Sequence, residues 1–127
     1  MSSVLVANGN HGERELLCSL LRREGFEVVE ASDGREAVLK YRSGPTNVVI
    51  IALPMAGLEG IATIHQLAVE SPTVRIIAIV GKNPPLGVIH GAEVMGASRV
   101  LSKPFTLEHL FRVVQEEAMP ERCLQSH

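Results

Sequence analysis

The residues of this chain that could do chemistry are few, and they follow predicted strands. Asn8 and Gly9 come after the apolar segment VLVA, and Ala52 follows the apolar run VVII. Lys103 follows another short apolar stretch and opens the sequence KPF. A lysine ammonium in a loop could hold an anion, or it could donate to the Asn8 side chain or to backbone carbonyls in a structural role. The residue types alone leave both roles open.

The other reactive side chains form no pattern typical of an enzyme or a metal site. No Ser-His-Asp, paired-carboxylate or Cys-His arrangement occurs at plausible loop positions. Cys18 and Cys123 form no CxxC motif, and Cys18 is predicted to pack beside an apolar stripe. His11 is interpreted as a solvated loop residue. Metal-ligand spacing is missing from the remaining histidines, which are His65, His90, His109 and His127. We therefore expect no enzyme activity, no cofactor and no metal.

Composition places the chain among globular proteins and argues against several classes of partner. Of 127 residues, 46% are hydrophobic and 20% are charged, and the net charge is −2. A pI near 6.2 and an aromatic content of 3% argue against direct binding of nucleic acid. No apolar stretch reaches the roughly 18 residues of a membrane helix, and we recognise no signal peptide. These features favour a protein of the reducing cytoplasm with no membrane contact.

Short apolar runs alternate with amphipathic segments along the whole chain. The predicted strands are Val4–Ala7, Phe26–Ala31, Asn47–Ile51, Arg75–Val80 and Arg99–Leu101. The predicted helices are Glu13–Glu24, a segment from the Asp33 cap to Gly44, a segment around Ile61–Ala68, Val88–Gly96, and a last helix from the Thr106 cap through Glu117. Leucines at 16, 17, 20 and 21 are predicted to share the inward face of the first helix. Leu107, Leu110 and Val114 are predicted to point inward from the last.

This alternation predicts an α/β fold with a parallel sheet covered by helices on both faces. The first, third and fourth strands are almost entirely aliphatic, as is typical of strands buried on both sides. A doubly wound, three-layer sandwich of five strands in the order 2-1-3-4-5 is one common solution. Its crevice between the first and third strands would be bordered by the loops at Asn8 and Ala52, with those at Val80 and Lys103 next to them.

Three motifs fall in order on these elements. They are SDGREAV at 32–38, MAGLEG at 55–60 and AEVMGASRVLSKPF at 92–105. Together they resemble the receiver domain of bacterial two-component response regulators, over residues 3 to about 117. The last motif is the most specific, because Gly96-Ala97 and Lys103-Pro104-Phe105 sit at the family's spacing. The resemblance implies a flavodoxin-like fold, with a receiver-like domain over residues 1–118 and a C-terminal tail over residues 119–127.

The resemblance also assigns the family's roles to positions of this chain. A receiver takes a phosphoryl group from a histidine kinase onto an aspartate, and that position is Ala52. The acidic residues that bind Mg²⁺ correspond to Asn8 and Gly9. The Thr or Ser that senses the phosphoryl group corresponds to Val80. An alanine methyl cannot attack phosphorus, and neutral oxygens beside a lysine hold Mg²⁺ poorly.

Lys103 alone matches the residue type that the family uses in its pocket. The position of an aromatic that switches its rotamer is occupied by Val100. The resemblance therefore implies a degenerate receiver, or pseudo-receiver, that keeps the fold of phosphorelay signal transduction but is not phosphorylated. Its vestigial pocket would comprise Asn8, Gly9, Ala52, Val80 and Lys103.

Such a domain can still act by presenting a surface to another protein. In the family this surface is usually the fourth helix, the fifth strand and the fifth helix, and the implied partner is a histidine kinase, an output domain or another regulator. A homodimer is also allowed. The alternative is a small-ligand or anion-binding module that reuses the crevice around Lys103, with slight support from the amides of Gly9-x-x-Gly12. The interaction face would include Glu93, Arg99, Val100, Phe111 and Arg112.

Overall fold

Five strands alternate with five helices within residues 2–53 and 58–119, the part of the chain that the computed structural model describes. Pro54, the first three residues of the MAGLEG motif and residues 120–127, including Cys123 and His127, lie outside this part. The strands are β1 (Ser3–Ala7), β2 (Glu27–Ala31), β3 (Val48–Ala52), β4 (Ile76–Val80) and β5 (Arg99–Ser102). The helices are α1 (His11–Arg23), α2 (Gly34–Ser43), α3 (Leu58–Glu70), α4 (Val88–Met95) and α5 (Leu107–Ala118). None of these helices is long and apolar enough to cross a membrane.

The five strands form one parallel sheet in the order β2-β1-β3-β4-β5, which confirms the predicted topology. The register aligns Val6 of β1 with Ile50 of β3, and Ile50 with Ile77 of β4. On the other side of β4, Ile79 is aligned with Leu101 of β5. The carboxyl ends of neighbouring strands therefore meet at one edge of the sheet, where the predicted crevice lies.

The core is divided between the two faces of the sheet. Leu5 of β1 packs with residues of α2, α3 and α4 on one face. Its neighbours Val4 and Val6 pack with residues of α1 and α5 on the other, because successive side chains of a strand point to opposite sides. All five residues of β3 and all five of β4 are buried, which explains why both strands are aliphatic throughout.

Side-chain caps fix the beginnings of three helices. The carboxylate of Asp33 accepts a hydrogen bond from the Glu36 amide at 2.7 Å, and the Thr106 hydroxyl accepts one from the His109 amide at 3.0 Å. Both caps were predicted from the sequence. Asn10 caps α1 in the same way, by accepting from the backbone amide of the first turn. These caps set the direction in which each helix leaves the edge of the sheet.

Two leucines depart from the predicted helix faces. Leu16 of α1 is 62% exposed and Leu107 of α5 is 44% exposed, so the prediction that they point inward was wrong. The buried residues of α1 are Cys18 and Leu21, and Leu16 lies roughly 140° from Leu21 around the helix axis. The four leucines span a wider arc of α1 than the side of the helix that packs against the sheet. The packing role predicted for Cys18 is confirmed.

Candidate functional site

The carboxyl ends of β1, β3 and β4 bring Asn8, Ala52 and Val80 to the same edge of the sheet, as predicted. Ala52 is 2% exposed and is aligned with Ile79 of β4, so a buried methyl group occupies the end of β3. Val80 is 1% exposed and is aligned with Ser102 of β5. Neither side chain can donate or accept a hydrogen bond. Asn8 is therefore the polar member of the three.

Asn8 is 4% exposed, and all of its polar groups have partners within the protein. Its backbone amide donates to the Ala31 carbonyl at 3.1 Å, and its carbonyl accepts from the Arg14 guanidinium at 2.8 Å. The side-chain oxygen accepts from the Asn10 amide at 2.9 Å, and the side-chain nitrogen donates to Glu13 at 3.3 Å. Asn8 thus holds the loop between β1 and α1 in place.

Lys103 reaches from the loop after β5 to the first turn of α1. Its Nζ lies 2.5 Å from Oε1 of Glu13, and the two side chains are 35% and 40% exposed. This hydrogen bond from Lys103 lowers the pKa of the Glu13 carboxyl, which therefore remains charged at neutral pH. Within residues 2–53 and 58–119, the partner of the ammonium is Glu13, and neither Asn8 nor a backbone carbonyl accepts from it. The positive charge at this edge is matched by a carboxylate within the chain.

Glu13 was not predicted as a member of the site. It lies 90 positions before Lys103 in the sequence, and its place in the first turn of α1 is an ordinary one for an acidic residue. One signal could have found it. A lysine at a sheet edge without the acids of its family needs a counter-charge, and Glu13 is the first acidic residue after the β1 loop.

The edge of the sheet offers poor ligands for a divalent cation. Gly9 is exposed and brings no side-chain oxygen, and the Asn8 oxygen is already engaged. Glu13 is committed to Lys103. Within residues 2–53 and 58–119, no group of three or more His, Cys, Asp and Glu side chains could hold a metal ion. Mg²⁺ favours carboxylates and water in octahedral geometry, and this set of residues does not supply them.

Comparison with known proteins identifies the family. The model of the response regulator receiver domain matches residues 4–115. The chain belongs to this family. The match runs from β1 into α5 and covers each described strand, so the receiver expectation drawn from the three motifs is confirmed.

Relatives of this receiver include full-length regulators and isolated receiver domains. It is 28% identical over 110 residues to the sensory transduction protein RegX3 of Mycolicibacterium smegmatis, covering 87% of this chain and 47% of RegX3. The chain thus spans about half the length of such curated relatives. A receiver from Methanospirillum hungatei superimposes with a TM-score of 0.87 at 17% identity, covering 96% of this chain and 97% of the other. TrrA from Thermotoga maritima, crystallised with Mg²⁺ and beryllofluoride, superimposes with a TM-score of 0.81 at 26% identity. The match covers 92% of this chain and 99% of TrrA.

The residues predicted to form an interaction face in this receiver lie on its edge strand and the two adjoining helices. Arg99 and Val100 are half-buried on β5. Glu93 is exposed on α4, and on α5 Phe111 is half-buried and Arg112 exposed. Val100 packs against the core on the α4 side of the sheet, whereas Phe111 packs against the core on the α5 side.

Two of the charged residues on this edge already have partners. The Arg99 guanidinium lies 2.9 Å from Glu116 and 3.7 Å from Glu117, both in the last turns of α5. Arg112 lies 3.1 Å from Nδ1 of His109, one turn away. Glu93 has no ion pair among the described residues, so its carboxylate remains available on this edge.

His11 also lies near the site, as the first residue of α1. It is exposed, as predicted, but the prediction that it lies in a loop was wrong, because the Asn10 cap begins α1 directly before it. Its Nε2 lies 3.1 Å from Oε2 of the exposed Glu15. Its Nδ1 is 3.0 Å from the Arg14 guanidinium. This surface arrangement connects neighbouring turns of α1 and does not reach the ends of β3 or β4.

Proposed function

We propose that this receiver is not phosphorylated and acts in two-component signalling as a protein–protein interaction module. The observation that carries the proposal is Ala52, whose buried methyl group ends β3 where the family places its aspartate. We assign the receiver to residues 1–118 and a C-terminal tail to residues 119–127. It keeps the scaffold of a phosphorelay component without the phosphoryl acceptor.

The chemistry of phosphoryl transfer supports this interpretation. An acyl phosphate forms only when a carboxylate attacks the phosphorus in line with the leaving group, and a methyl group has no lone pair. The transferred group also needs Mg²⁺ to neutralise its charge, and Asn8 and Gly9 provide no carboxylate for the metal. The remaining cation, Lys103, is neutralised by Glu13.

We propose further that the domain holds a single signalling state. Val80 offers no hydroxyl that could bind a phosphoryl oxygen, and Val100 offers no aromatic ring that could change rotamer. Both are β-branched side chains with restricted χ1 angles. A sheet edge that cannot bind a phosphoryl group makes no contact that would favour one conformation over another, so no population shift is expected.

A partner would then recognise a fixed surface. We assign this role to Glu93, Arg99, Val100, Phe111 and Arg112, which combine half-buried apolar side chains with charges of both signs. The partner would be a histidine kinase, an output domain or another regulator. The alternative, an anion-binding module built around Lys103, is not favoured, because the ammonium is already paired with Glu13.

The test uses beryllofluoride, which forms a phosphoryl-like group on an acceptor aspartate with Mg²⁺ bound beside it. TrrA, which has been crystallised with this ligand, is the positive control. Backbone amide shifts are recorded with and without beryllofluoride and Mg²⁺ for the native chain and for Asn8→Asp/Gly9→Asp/Ala52→Asp. We expect shifts in the triple variant only.

A specific response of the native chain would overturn the proposal, because it would reveal an acceptor other than residue 52. If the triple variant is folded but its amide shifts do not respond to beryllofluoride and Mg²⁺, Glu13→Gln is added to free Lys103. A response only after this fourth change would show that the Glu13–Lys103 pair itself blocks the pocket. If the fourfold variant also shows no change in its amide shifts, the sheet edge cannot form the family's pocket. The assignment of the family's roles to positions 8, 9 and 52 would then be wrong.

A further inference from the structure

The outer side of α1 carries apolar surface that the fold leaves uncovered. Leu16 is 62% exposed, and across a groove from it Leu107 of α5 is 44% exposed. The groove has a volume of about 290 Å³ and lies between the two helices. Its walls are mostly aliphatic and aromatic, and at one end lies the Glu13–Lys103 pair. The lining residues include Leu16, Leu17, Leu20, Phe105, Leu107 and Leu110.

The residues around Leu16 allow another helix to approach closely. Gly12, Leu16, Ser19 and Arg23 follow one another at helical spacings of four, three and four, so they share one side of α1. All four are exposed. Gly12 and Ser19 are small and stand on either side of Leu16 along the helix. This side of α1 therefore presents one large apolar side chain between two small residues.

The N-terminal half of α1 carries charges of both signs, and its C-terminal end is basic. In the N-terminal half Glu13 is paired with Lys103 and Arg14 with Glu30, which leaves Glu15 as the exposed acidic residue. At the C-terminal end Arg22 is paired with Glu30, and Arg23 follows it. Glu15 is paired only with the exposed His11, and Arg23 has no partner among the described residues. A second α1 that runs antiparallel to the first would bring Glu15 of each helix towards Arg23 of the other.

We propose that α1 is the interface of a homodimer in which two copies pack α1 antiparallel around a twofold axis near Ser19. In such an arrangement each copy supplies both halves of the contact. Leu16 of each copy packs against Leu20 and the groove of the other, and Glu15 of each faces Arg23 of the other. The same helix thus carries the protruding side chain, one wall of the groove and both charges, which is the complementarity that a second copy requires.

The proposal concerns a different surface from the β5 edge and does not depend on phosphorylation. Its contact area comes mainly from one helix of 13 residues and the adjoining end of α5, so the dimer is weak and concentration-dependent. Sedimentation of the full chain from roughly 10 μM to 1 mM covers the affinities expected of such an interface. We expect the average mass to rise from monomer towards dimer over this range.

Leu16→Ser tests the apolar contact. It should weaken the dimer at least about tenfold, because each dimer loses two buried leucine side chains. Leu39→Ser is the matched control, since Leu39 is 50% exposed on α2 at the opposite side of the sheet. Circular dichroism establishes that both variants are folded. The control should sediment like the native chain.

A charge exchange tests the antiparallel geometry. Glu15→Arg and Arg23→Glu should each weaken the dimer, because each places like charges together across the axis. The double variant restores opposite charges and should recover most of the native association. A chain that stays monomeric over the whole range would overturn the proposal. So would a dimer that survives Leu16→Ser but is lost in Val100→Asp, because that dimer would use the β5 edge.

Discussion

At the scale of single residues, the contact between Glu13 and Lys103 explains most about the site. The same Glu13 oxygen accepts from the Lys103 ammonium at 2.5 Å and from the Asn8 amide at 3.3 Å. One carboxylate therefore connects the loop after β1 with the loop after β5. Both charged side chains are partly exposed to water, so the pair contributes about as much as a surface ion pair, roughly 0.2–1 kcal/mol.

Glu13→Gln should lower the free energy of unfolding by about 0.2–1 kcal/mol at pH 7. The pKa of Glu13 is lowered in the folded protein, so its carboxylate stabilises the fold above the ordinary value of 4.5 and loses this effect as the pH falls through the folded pKa. Urea unfolding of both proteins at several pH values measures this. The difference in unfolding free energy between the native chain and Glu13→Gln should narrow below about pH 4.5.

Glu15→Gln is the control, because Glu15 lies on the same helix and faces solvent. It should leave the pH dependence of unfolding close to that of the native chain. A difference between Glu13→Gln and the native chain that persists unchanged into acid would contradict the account, since the effect could not then come from the Glu13 charge.

The residue types at the sheet edge could be predicted from the sequence, but their contacts could not. Ala52 and Val80 end aliphatic runs, and the positions of the runs fix which residues reach the edge. The partner of Lys103 depends on how α1 leaves β1, and the Asn10 cap and the Asn8 hydrogen bonds set that direction. These contacts depend on the three-dimensional arrangement of the elements, and no periodic pattern in the sequence predicts them.

At the scale of the elements, α2 and α3 are joined by a close contact at Gly34. A Cβ added to Gly34 would lie 1.9 Å from Oγ1 of Thr63, whose side chain is almost completely buried. The Gly34 amide also donates to the Glu59 carboxylate at 3.1 Å, across the two helix beginnings. The beginning of α2 can therefore approach α3 only because residue 34 has no side chain.

Gly34→Ala should destabilise the protein by about 1–3 kcal/mol, since the helices must move apart to admit the methyl group. Chemical unfolding measures the change. Gly44→Ala is the control, because nothing lies within 4 Å of a Cβ at that position. Adding Thr63→Ala to Gly34→Ala removes the hydroxyl that clashes and should recover part of the loss. An unchanged stability in Gly34→Ala alone would show that α2 and α3 do not pack this closely.

The strands were easier to predict than the faces of the helices. Runs such as VVII and IIAIV are buried on both sides, so every residue of the run is aliphatic and indicates a strand. A helix is buried on one side only, and the width of that side depends on its neighbours. The leucine stripe of α1 indicated a helix correctly, but it could not reveal that Leu16 would stay outside, because that depends on how far α5 reaches towards it.

At the scale of the whole molecule, the receiver combines an intact scaffold with a sheet edge that, in the function we propose, carries no switch. The order of the strands, the two cores and the caps are those of a folded α/β domain. The changes that we associate with lost phosphorylation are confined to the carboxyl ends of the strands and to Val100. We therefore expect β5 to have one conformation in solution.

Relaxation dispersion of backbone amides tests this expectation. Residues 99–102 should show no exchange on the microsecond to millisecond timescale, because Val100 packs against the core and has restricted rotamers. The amides of β3, which is fully buried, provide the rigid reference. A second populated conformer of β5 would contradict the single-state proposal.

The most direct test of the central claim is covalent. The native chain and the Asn8→Asp/Gly9→Asp/Ala52→Asp variant are incubated with phosphoramidate and Mg²⁺, and their intact masses are measured. The account predicts that the native chain gains no phosphoryl group under conditions in which a receiver that keeps the acceptor aspartate is modified. A native chain that gains one phosphoryl group, labile as an acyl phosphate is, would contradict it.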